Sequence, residues 1–510
     1  MDLARILVAL ACLLPLPASL AADEPPSELK GLDTYIQHAM ADWKVPGLAI
    51  AVVKDDKVVW VQGFGRRNLD APDKVDGDTL FGIGSNTKAF TVAALGTLVD
   101  AGKLDWDDPV ATLMPGFQMY DPYVTREVTL RDLLSHRSGT CGEDGVWYGT
   151  DFNSEEIIAR LRYQKPAYGF RSQFCYSNSL YMAAGQVVPA VTSTAWGDYV
   201  RARFFAPLHM DTSNTSIRAF KSGADVATPH AEIDGRLQPI AWDNTDNIDP
   251  AGAINSSVRE MSEWLRMLLA DGRYEGKQLL SPETVQEMET PQMLIGGKDG
   301  EAKFLSALNP ESHFYAYGLG FFLQDYAGTK VVWHSGHIDG MSAGLGMVPS
   351  RHLGVVVLSN MDQSWLPMAL VWRVVDAYDG KPDKDWSTVV LKAVAPVYAA
   401  DRAAQAALDK TRQPGAAPLP LAEYAGHYSN ELYGDVNITL ENGKLRLRAS
   451  KRLTGELRHW HHDTFQVQWD YAYFGKSYIT FGLDAFGKPV SLDMPGVATY
   501  ARADAAKSGE

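Results

Sequence analysis

The spacing of apolar positions changes along the chain, and the changes divide it. Two short apolar runs, 48–53 and 58–61, flank the polar quartet Lys54, Asp55, Asp56 and Lys57, the pattern of a β-hairpin. From Thr87 to Ala101 the apolar residues Phe90, Val92, Ala94, Leu95, Leu98 and Val99 follow a helical period, which stops at Gly102, a residue suited to the C′ place of a helix. Helical spacing then dominates to about residue 270, with segments predicted over 128–136 (entered from Thr129), 154–163, 180–191, 196–205 and 257–269. Strand signals return over 317–323, 330–333, 342–348 and 353–358, and 365–378 reads as a helix that covers them. The sheet is thus drawn from both ends of 35–395 around an inserted helical subdomain, an α/β (α+β) unit with a cleft at the layer junction. Residues 399–421, alanine-rich and then proline-rich, read as a helix running into a linker. Beyond it the period becomes two: Val436, Ile438 and Leu440 alternate with polar residues, Asn442–Gly443 is a hairpin turn signal, and Leu445 and Leu447 return. Residues 422–505 therefore predict a small all-β sandwich or barrel.

Composition adds a class and a compartment. With 510 residues, 46% hydrophobic and 21% charged, the chain has room for two or three domains. Its formal charge of −15 is spread out, with no Lys/Arg block, which argues against nucleic acid or an anionic membrane as a main partner. Residues 1–21 have the charged start, apolar run and small-residue end of a secretory signal, with cleavage predicted after Ala21 or Ala22 and a periplasmic or secreted product. No later stretch is long and apolar enough to predict an integral membrane span. The mature chain keeps Cys141 and Cys175, which in an oxidising compartment suggest one disulfide; two free buried thiols are the alternative.

Candidate chemistry begins at Ser85, which stands three residues before Lys88 at the predicted helix entrance. The two side chains then share a helix face, a base is beside a hydroxyl that needs one, and the helix N-terminus offers N–H groups to developing negative charge. Ser27 and Lys30 repeat the spacing in an N-terminal segment that reads as solvated, so the motif alone decides nothing. Tyr176, Ser177 and Asn178 precede a helical run, and place a phenol able to relay protons beside an amide able to orient a lysine or a substrate carbonyl. The same tripeptide at Tyr428–Asn430 falls in the predicted β module, where Tyr is ordinarily a core residue. His334, Ser335 and Gly336 follow the strand signal at 331–333, and Gly336 permits close backbone approach. His459 and His461 would share a strand face, too few ligands for a metal centre.

The ordered trio Ser85/Lys88, Tyr176/Asn178 and His334/Gly336 resembles the penicillin-recognising serine hydrolases: β-lactamases, D-alanyl-D-alanine carboxypeptidases, D-aminopeptidases and related esterases. Connecting stretches resemble them too, among them Leu133–Gly139, Pro250–Gly252 and Tyr317–Gly320. The resemblance implies a β-lactamase/DD-peptidase-like fold over 22–398, and a lipocalin-like β-barrel in the C-terminal module that restricts access to the cleft, mediates oligomerisation or simply adds stability. It implies that Ser85 is acylated, that Lys88 takes or shuttles its proton, and that Tyr176 acts as general base and acid, with the division between the two bases open. Asn178 would orient substrate, the backbone N–H groups of Ser85 and His337 would form the oxyanion hole, and His334 with Gly336 would line the third edge. It also places Cys141 and Cys175 in loops close to the site. No metal or organic cofactor is implied. Members acting on β-lactams usually carry Lys or Arg where this chain has His334, a side chain mostly neutral near pH 7. The expected activity is therefore a secreted serine hydrolase acting on small peptides, amides or esters. A β-lactamase or D-alanyl-D-alanine carboxypeptidase, and a non-catalytic penicillin-binding or sensor protein, are the alternatives.

Overall fold

The computed structural model describes residues 25–503 apart from 297–299, 310, 382 and 414, so the leader at 1–21 and its cleavage point lie outside the described residues. One antiparallel sheet of eight strands organises the first 360 residues or so. In chain order its strands are β1 (Gly47–Lys54), β2 (Lys57–Gly65), β3 (Met293–Ile295), β4 (Tyr315–Tyr317), β5 (Phe322–Tyr326), β6 (Thr329–Ile338), β7 (Met341–Val348) and β8 (Leu353–Ser359), arranged β2-β1-β8-β7-β6-β5-β4-β3. The N-terminal hairpin joins the later strands through β1 and β8, whose register runs from Leu48 opposite Ser359 to Lys54 opposite Leu353. Leu48 to Val53 are all fully buried, as expected of a central strand covered on both faces.

Helices supply both covers. Helix α1 spans Leu32–Asp42, α2 Thr87–Asp100, α3 Asn178–Gly185, α4 Val258–Leu269, α5 Gly300–Leu308, α6 Leu366–Tyr378 and α7 Trp386–Asp409. On β7, a Cβ at Gly344 would strike Pro367 and Met368, and one at Gly346 would strike Val371, so α6 lies close on that face. Gly354 of β8, one residue out of phase with the partners of those glycines, meets Leu265 and Leu269 of α4, which therefore covers the opposite face.

Three expectations change. Residues 317–323 are not one strand: β4 ends at Tyr317, Gly318 to Phe321 turn the chain, and β5 begins at Phe322. Gly320 takes φ +82° there and rests against Ala89 of α2. The strand signal at 330–333 extends to Ile338, so His334 and Gly336 sit within β6 rather than after it. The helix expected to open 399–421 is present but starts earlier: residues 399–409 are the second half of α7, whose buried Trp386, Val390 and Val394 anchor its first half to the sheet domain. The linker is left with 410–421.

The C-terminal module is a closed eight-stranded barrel between Gly426 and Arg502. Val436, Ile438, Leu445 and Leu447 point inward as their alternation predicts, and Tyr424, Phe465 and Phe481 close the core by ring contacts. Asn442 and Gly443 both adopt positive φ in the predicted turn. Leu440, one pair from that turn, is exposed. Tyr428 is a core residue of the barrel, as expected of the second Tyr-Ser-Asn copy.

Candidate active site

Ser85 lies in a one-turn 3₁₀ segment, Gly84–Asn86, that runs directly into α2. The short pairing of Phe81 and Gly82 with Ser256 and Asn255 fixes the approach to that turn. Lys88, one turn further on, is fully buried and donates to Ser85 Oγ at 3.0 Å, Asn178 Oδ1 at 2.8 Å and the Ala251 carbonyl at 2.9 Å. Burial drives its pKa down to about 7, with the Asp144 carboxylate partly opposing the shift. Near neutrality a large fraction of Lys88 is therefore unprotonated. Its two remaining N–H bonds suffice for Asn178 and Ala251, which turns its lone pair toward Ser85.

Tyr176 donates to Ser85 Oγ at 2.8 Å from the other side. Three contacts hold the segment that carries it. The Ser177 N–H donates to His136 Nδ1 at 3.1 Å, the Ser177 hydroxyl caps α3 and also donates to buried Glu143, and Asn178 Nδ2 donates to Asp144 at 3.1 Å. His136 is buried, and burial together with the nearby Lys88 charge pushes its pKa well below the ordinary range, so it stays neutral and can accept. Its ring lies 4.2 Å from that of Tyr176. Burial raises the Glu143 pKa to about 7 against the pull of the Ser177 hydrogen bond. A disulfide joins Cys141 to Cys175, tying the loop of Glu143 and Asp144 to the residue before Tyr176.

The third wall is β6. Strand β5 pairs with it only from Thr329 to Trp333, so His334 to Ile338 have a strand neighbour on the β7 side alone and turn a free edge toward Ser85. A Cβ at Gly336 would fall 2.0 Å from the Ile83 carbonyl oxygen, and one at Gly84 (φ +52°) would fall 2.5 Å from the His337 nitrogen. Only glycines let the nucleophile turn and the strand edge meet this closely, which brings the Ser85 turn against the His337 N–H. His334 is buried and holds its pKa at about 3, chiefly through burial and secondly through Lys88. Its Nε2 faces the Tyr317 hydroxyl at 3.0 Å and its Nδ1 the Ser335 carbonyl. A carbonyl can only accept, which places the ring proton on Nδ1 and makes Nε2 the acceptor. Position 334 thus supplies no cation.

The walls enclose a cleft of about 570 Å³ that contains Ser85, Tyr176, Asn178, His334 and His337. A larger hollow of about 700 Å³ beside α1 and β2 holds none of these groups. The barrel helps to line the cleft. Tyr473 faces into it and donates to Asp362 Oδ1 at 3.0 Å, the oxygen that also accepts from His337 Nε2 at 2.8 Å and from the Gly340 N–H at 3.1 Å. Arg452 reaches across from the barrel to Asp339, at 2.6 Å, and to Asp243, both nearly buried. Tyr148 donates to the same Asp339 at 2.8 Å and packs edge to face on Phe474. Burial, with Asp339 adjacent, raises the pKa of Asp243 to about 6.

The family model described as Beta-lactamase matches residues 32–378. The chain belongs to the beta-lactamase family. A second model, described as a domain of unknown function (DUF3471), matches residues 410–507, the barrel region of this beta-lactamase-family protein. The chain is similar to the unguisins hydrolase ungD of Aspergillus violaceofuscus (strain CBS 115571), with 29% identity over 465 residues, 84% of this chain and 80% of that one. In fold it is similar to the octameric penicillin-binding protein homologue from Pyrococcus abyssi, with TM-score 0.62, 24% identity and 91% and 98% of the two chains covered. It is also similar to the D-amino acid amidase from Ochrobactrum anthropi SV3, with TM-score 0.55, 24% identity and 69% and 99% covered. These hydrolase relatives support a hydrolase, with the antiparallel sheet and helices of the beta-lactamase and penicillin-binding fold.

Of the motif residues read from the sequence, Ser85, Tyr176, Asn178, His334 and His337 line this cleft, Lys88 is buried beneath Ser85 and bonded to it, and Gly336 packs on Ile83; the two decoys lie elsewhere. The Ser27 hydroxyl donates to the adjacent Glu28, and Tyr428 sits in the barrel core. His459 faces the Gly415 and His462 carbonyls. Sequence reasoning missed Asp144, Tyr148, Asp243, Asp339 and Tyr473 as parts of the cleft, and Arg452 as the cation that pairs with two of them. They converge from five separate segments without a shared spacing, and only Asp339 lay beside a stretch already singled out.

Proposed function

We propose that this beta-lactamase-family protein is a secreted serine hydrolase that forms an acyl-enzyme on Ser85 and acts on amides, short peptides or esters. The observation that carries the reading is the bracketing of Ser85 Oγ by Lys88 Nζ at 3.0 Å and Tyr176 Oη at 2.8 Å. In acylation, neutral Lys88 takes the Ser85 proton as Oγ bonds to the substrate carbonyl carbon. The negative oxygen faces the Ser85 and His337 N–H groups and the positive end of α2. The scissile bond then breaks, with the proton passing through Tyr176 to the departing nitrogen or oxygen. Water attacks the ester in the reverse sense and frees Ser85.

Position 334 separates the candidate substrates. A neutral, doubly engaged histidine offers no fixed positive charge to the carboxylate of a β-lactam or a C-terminal D-alanine. This favours the amidase, aminopeptidase and esterase side of the family, the side on which the D-amino acid amidase stands by name. The Cys141–Cys175 bond fits the oxidising compartment that the leader predicts, and among the described residues no helix is long and apolar enough to cross a membrane. A panel of D- and L-amino-acid amides, a p-nitrophenyl ester and a chromogenic cephalosporin tests the proposal. Ester or amide turnover should exceed cephalosporin turnover by at least about 100-fold in kcat/KM, roughly the 2–3 kcal/mol of one charged hydrogen bond; comparable cephalosporin turnover would refute it.

A further inference from the structure

The cleft does not end at the β6 edge. A second hollow of about 330 Å³ adjoins it and shares Phe304, Ser335, His337, Gln363 and Trp365 with it, so the two form one space bent round the strand. The passage exists because β5 begins only opposite Trp333 and leaves 334–338 uncovered on that side. Beyond the bend the chemistry of the walls changes. The arm toward the barrel carries Asp144, Tyr148, Asp243 and Asp339. The annex is walled by Ala343, Met368 and Val394, and by Phe304 and Trp365, whose rings meet edge to face at 4.9 Å. Two of its polar side chains are engaged within the protein, since Tyr398 donates to the Gln363 carbonyl and Ser342 donates to the Met361 carbonyl and accepts from the Ser364 N–H, while the exposed Asp401, one turn from Val397 on α7, also borders it. Val397, about half exposed, stands at its outer mouth on α7.

Which half of a substrate enters the annex follows from the proton path. Tyr176 delivers a proton to the leaving group, and its ring faces His334 at 6.3 Å. The leaving group therefore departs past Ser335, which with Gly336 and His337 is the part of β6 that borders the annex. The acyl group lies toward Asp339 and the barrel. We infer that the annex is a leaving-group subsite that takes an apolar side chain, aromatic or branched aliphatic, carried by the amine or alcohol released on acylation. This rests on the acyl-enzyme reading above. In that step the Oγ–C bond forms, the C–N or C–O bond breaks, and the proton lost by Ser85 ends on the released amine or alcohol.

The test uses the full-length protein and pairs of amides that share one acyl group, with leucine amide or glycine amide as the leaving amine. The annex predicts a kcat/KM about 10- to 100-fold higher for the leucine pair, as expected for burying a branched side chain. Phe304→Ala, and independently Val397→Glu at the half-exposed mouth, should shrink that ratio at least fivefold. Deacylation should be untouched, because all substrates of a pair leave the same acyl-enzyme. If Ser85-dependent turnover shows no leaving-group preference, or if both variants keep the wild-type ratio, the subsite is refuted. If turnover survives Ser85→Ala, the acyl-enzyme reading itself fails.

Discussion

At the scale of single residues the site depends on a buried lysine that is half unprotonated near neutral pH. Burial disfavours the charge of Lys88 and lowers its pKa to about 7, a shift that the Asp144 carboxylate only partly opposes. Raising the pH through 7 removes its proton and creates the base, so kcat/KM should rise about tenfold per unit below pH 7 and level off above 8. His334, already neutral above about pH 3, adds no inflection in that range. Lys88→Arg, whose guanidinium cannot give up its proton, should cost about 10³-fold or more across the profile. A flat wild-type profile from pH 5.5 to 8.5 would remove Lys88 as the base. Ser85, Lys88, Tyr176, Asn178, His334 and Gly336 were legible as members of the site because each stands in a short local motif, and His337 through the family resemblance those motifs carry. The neutrality of His334 was legible only as an expectation from its ordinary pKa. Its depth, and the Tyr317 hydroxyl that fixes its tautomer, belong to tertiary packing.

At the scale of elements, the segment before α3 is the part most dependent on support from outside itself. Residues 175–178 have no strand partner, and are held by His136, by Glu143 and Asp144, and by the Cys141–Cys175 bond. Cys141→Ser/Cys175→Ser should lower unfolding free energy by about 4 kcal/mol, the loop-closure value for a bridge of this span, and should lower kcat more than it raises KM. Thermal unfolding beside steady-state kinetics checks both, and a double variant with wild-type kcat would show that the bridge does not position Tyr176. Helices and strands with clean periods were legible. The break at Gly318–Phe321 was not, because Tyr317 to Leu323 is apolar on both sides of the turn and only the glycines betray it. The extension of β6 through Gly336 was hidden by small and polar residues whose environment is the nucleophile turn rather than a core.

At the scale of the whole molecule, the barrel and the hydrolase unit share one cleft. Arg452 is the hinge of that arrangement: its side chain is the counter-charge for Asp243 and Asp339, which are 9% and 3% exposed. Arg452→Met would leave both carboxylates buried without a counter-charge, a loss of about 3–5 kcal/mol as for breaking a buried ion pair. Proteolysis between residues 410 and 421 should accelerate in the variant, and KM should change with it. Unchanged cleavage and KM would show that the barrel is an appendage. The two-part layout was legible from the change of period near residue 422, and the sheet's assembly from both ends of the domain from its strand signals. The contact between the parts was not, since Arg452 meets Asp339 and Tyr473 meets Asp362 across more than 100 residues with no pattern to announce them. The central claim is that Ser85 carries the acyl group. Incubation with a fluorophosphonate, followed by intact-mass and peptide-mass measurement of wild type and Ser85→Ala, tests it most directly. The account predicts one adduct on the peptide containing Ser85 in the wild type and none in the variant; equal labelling of the two proteins would contradict it.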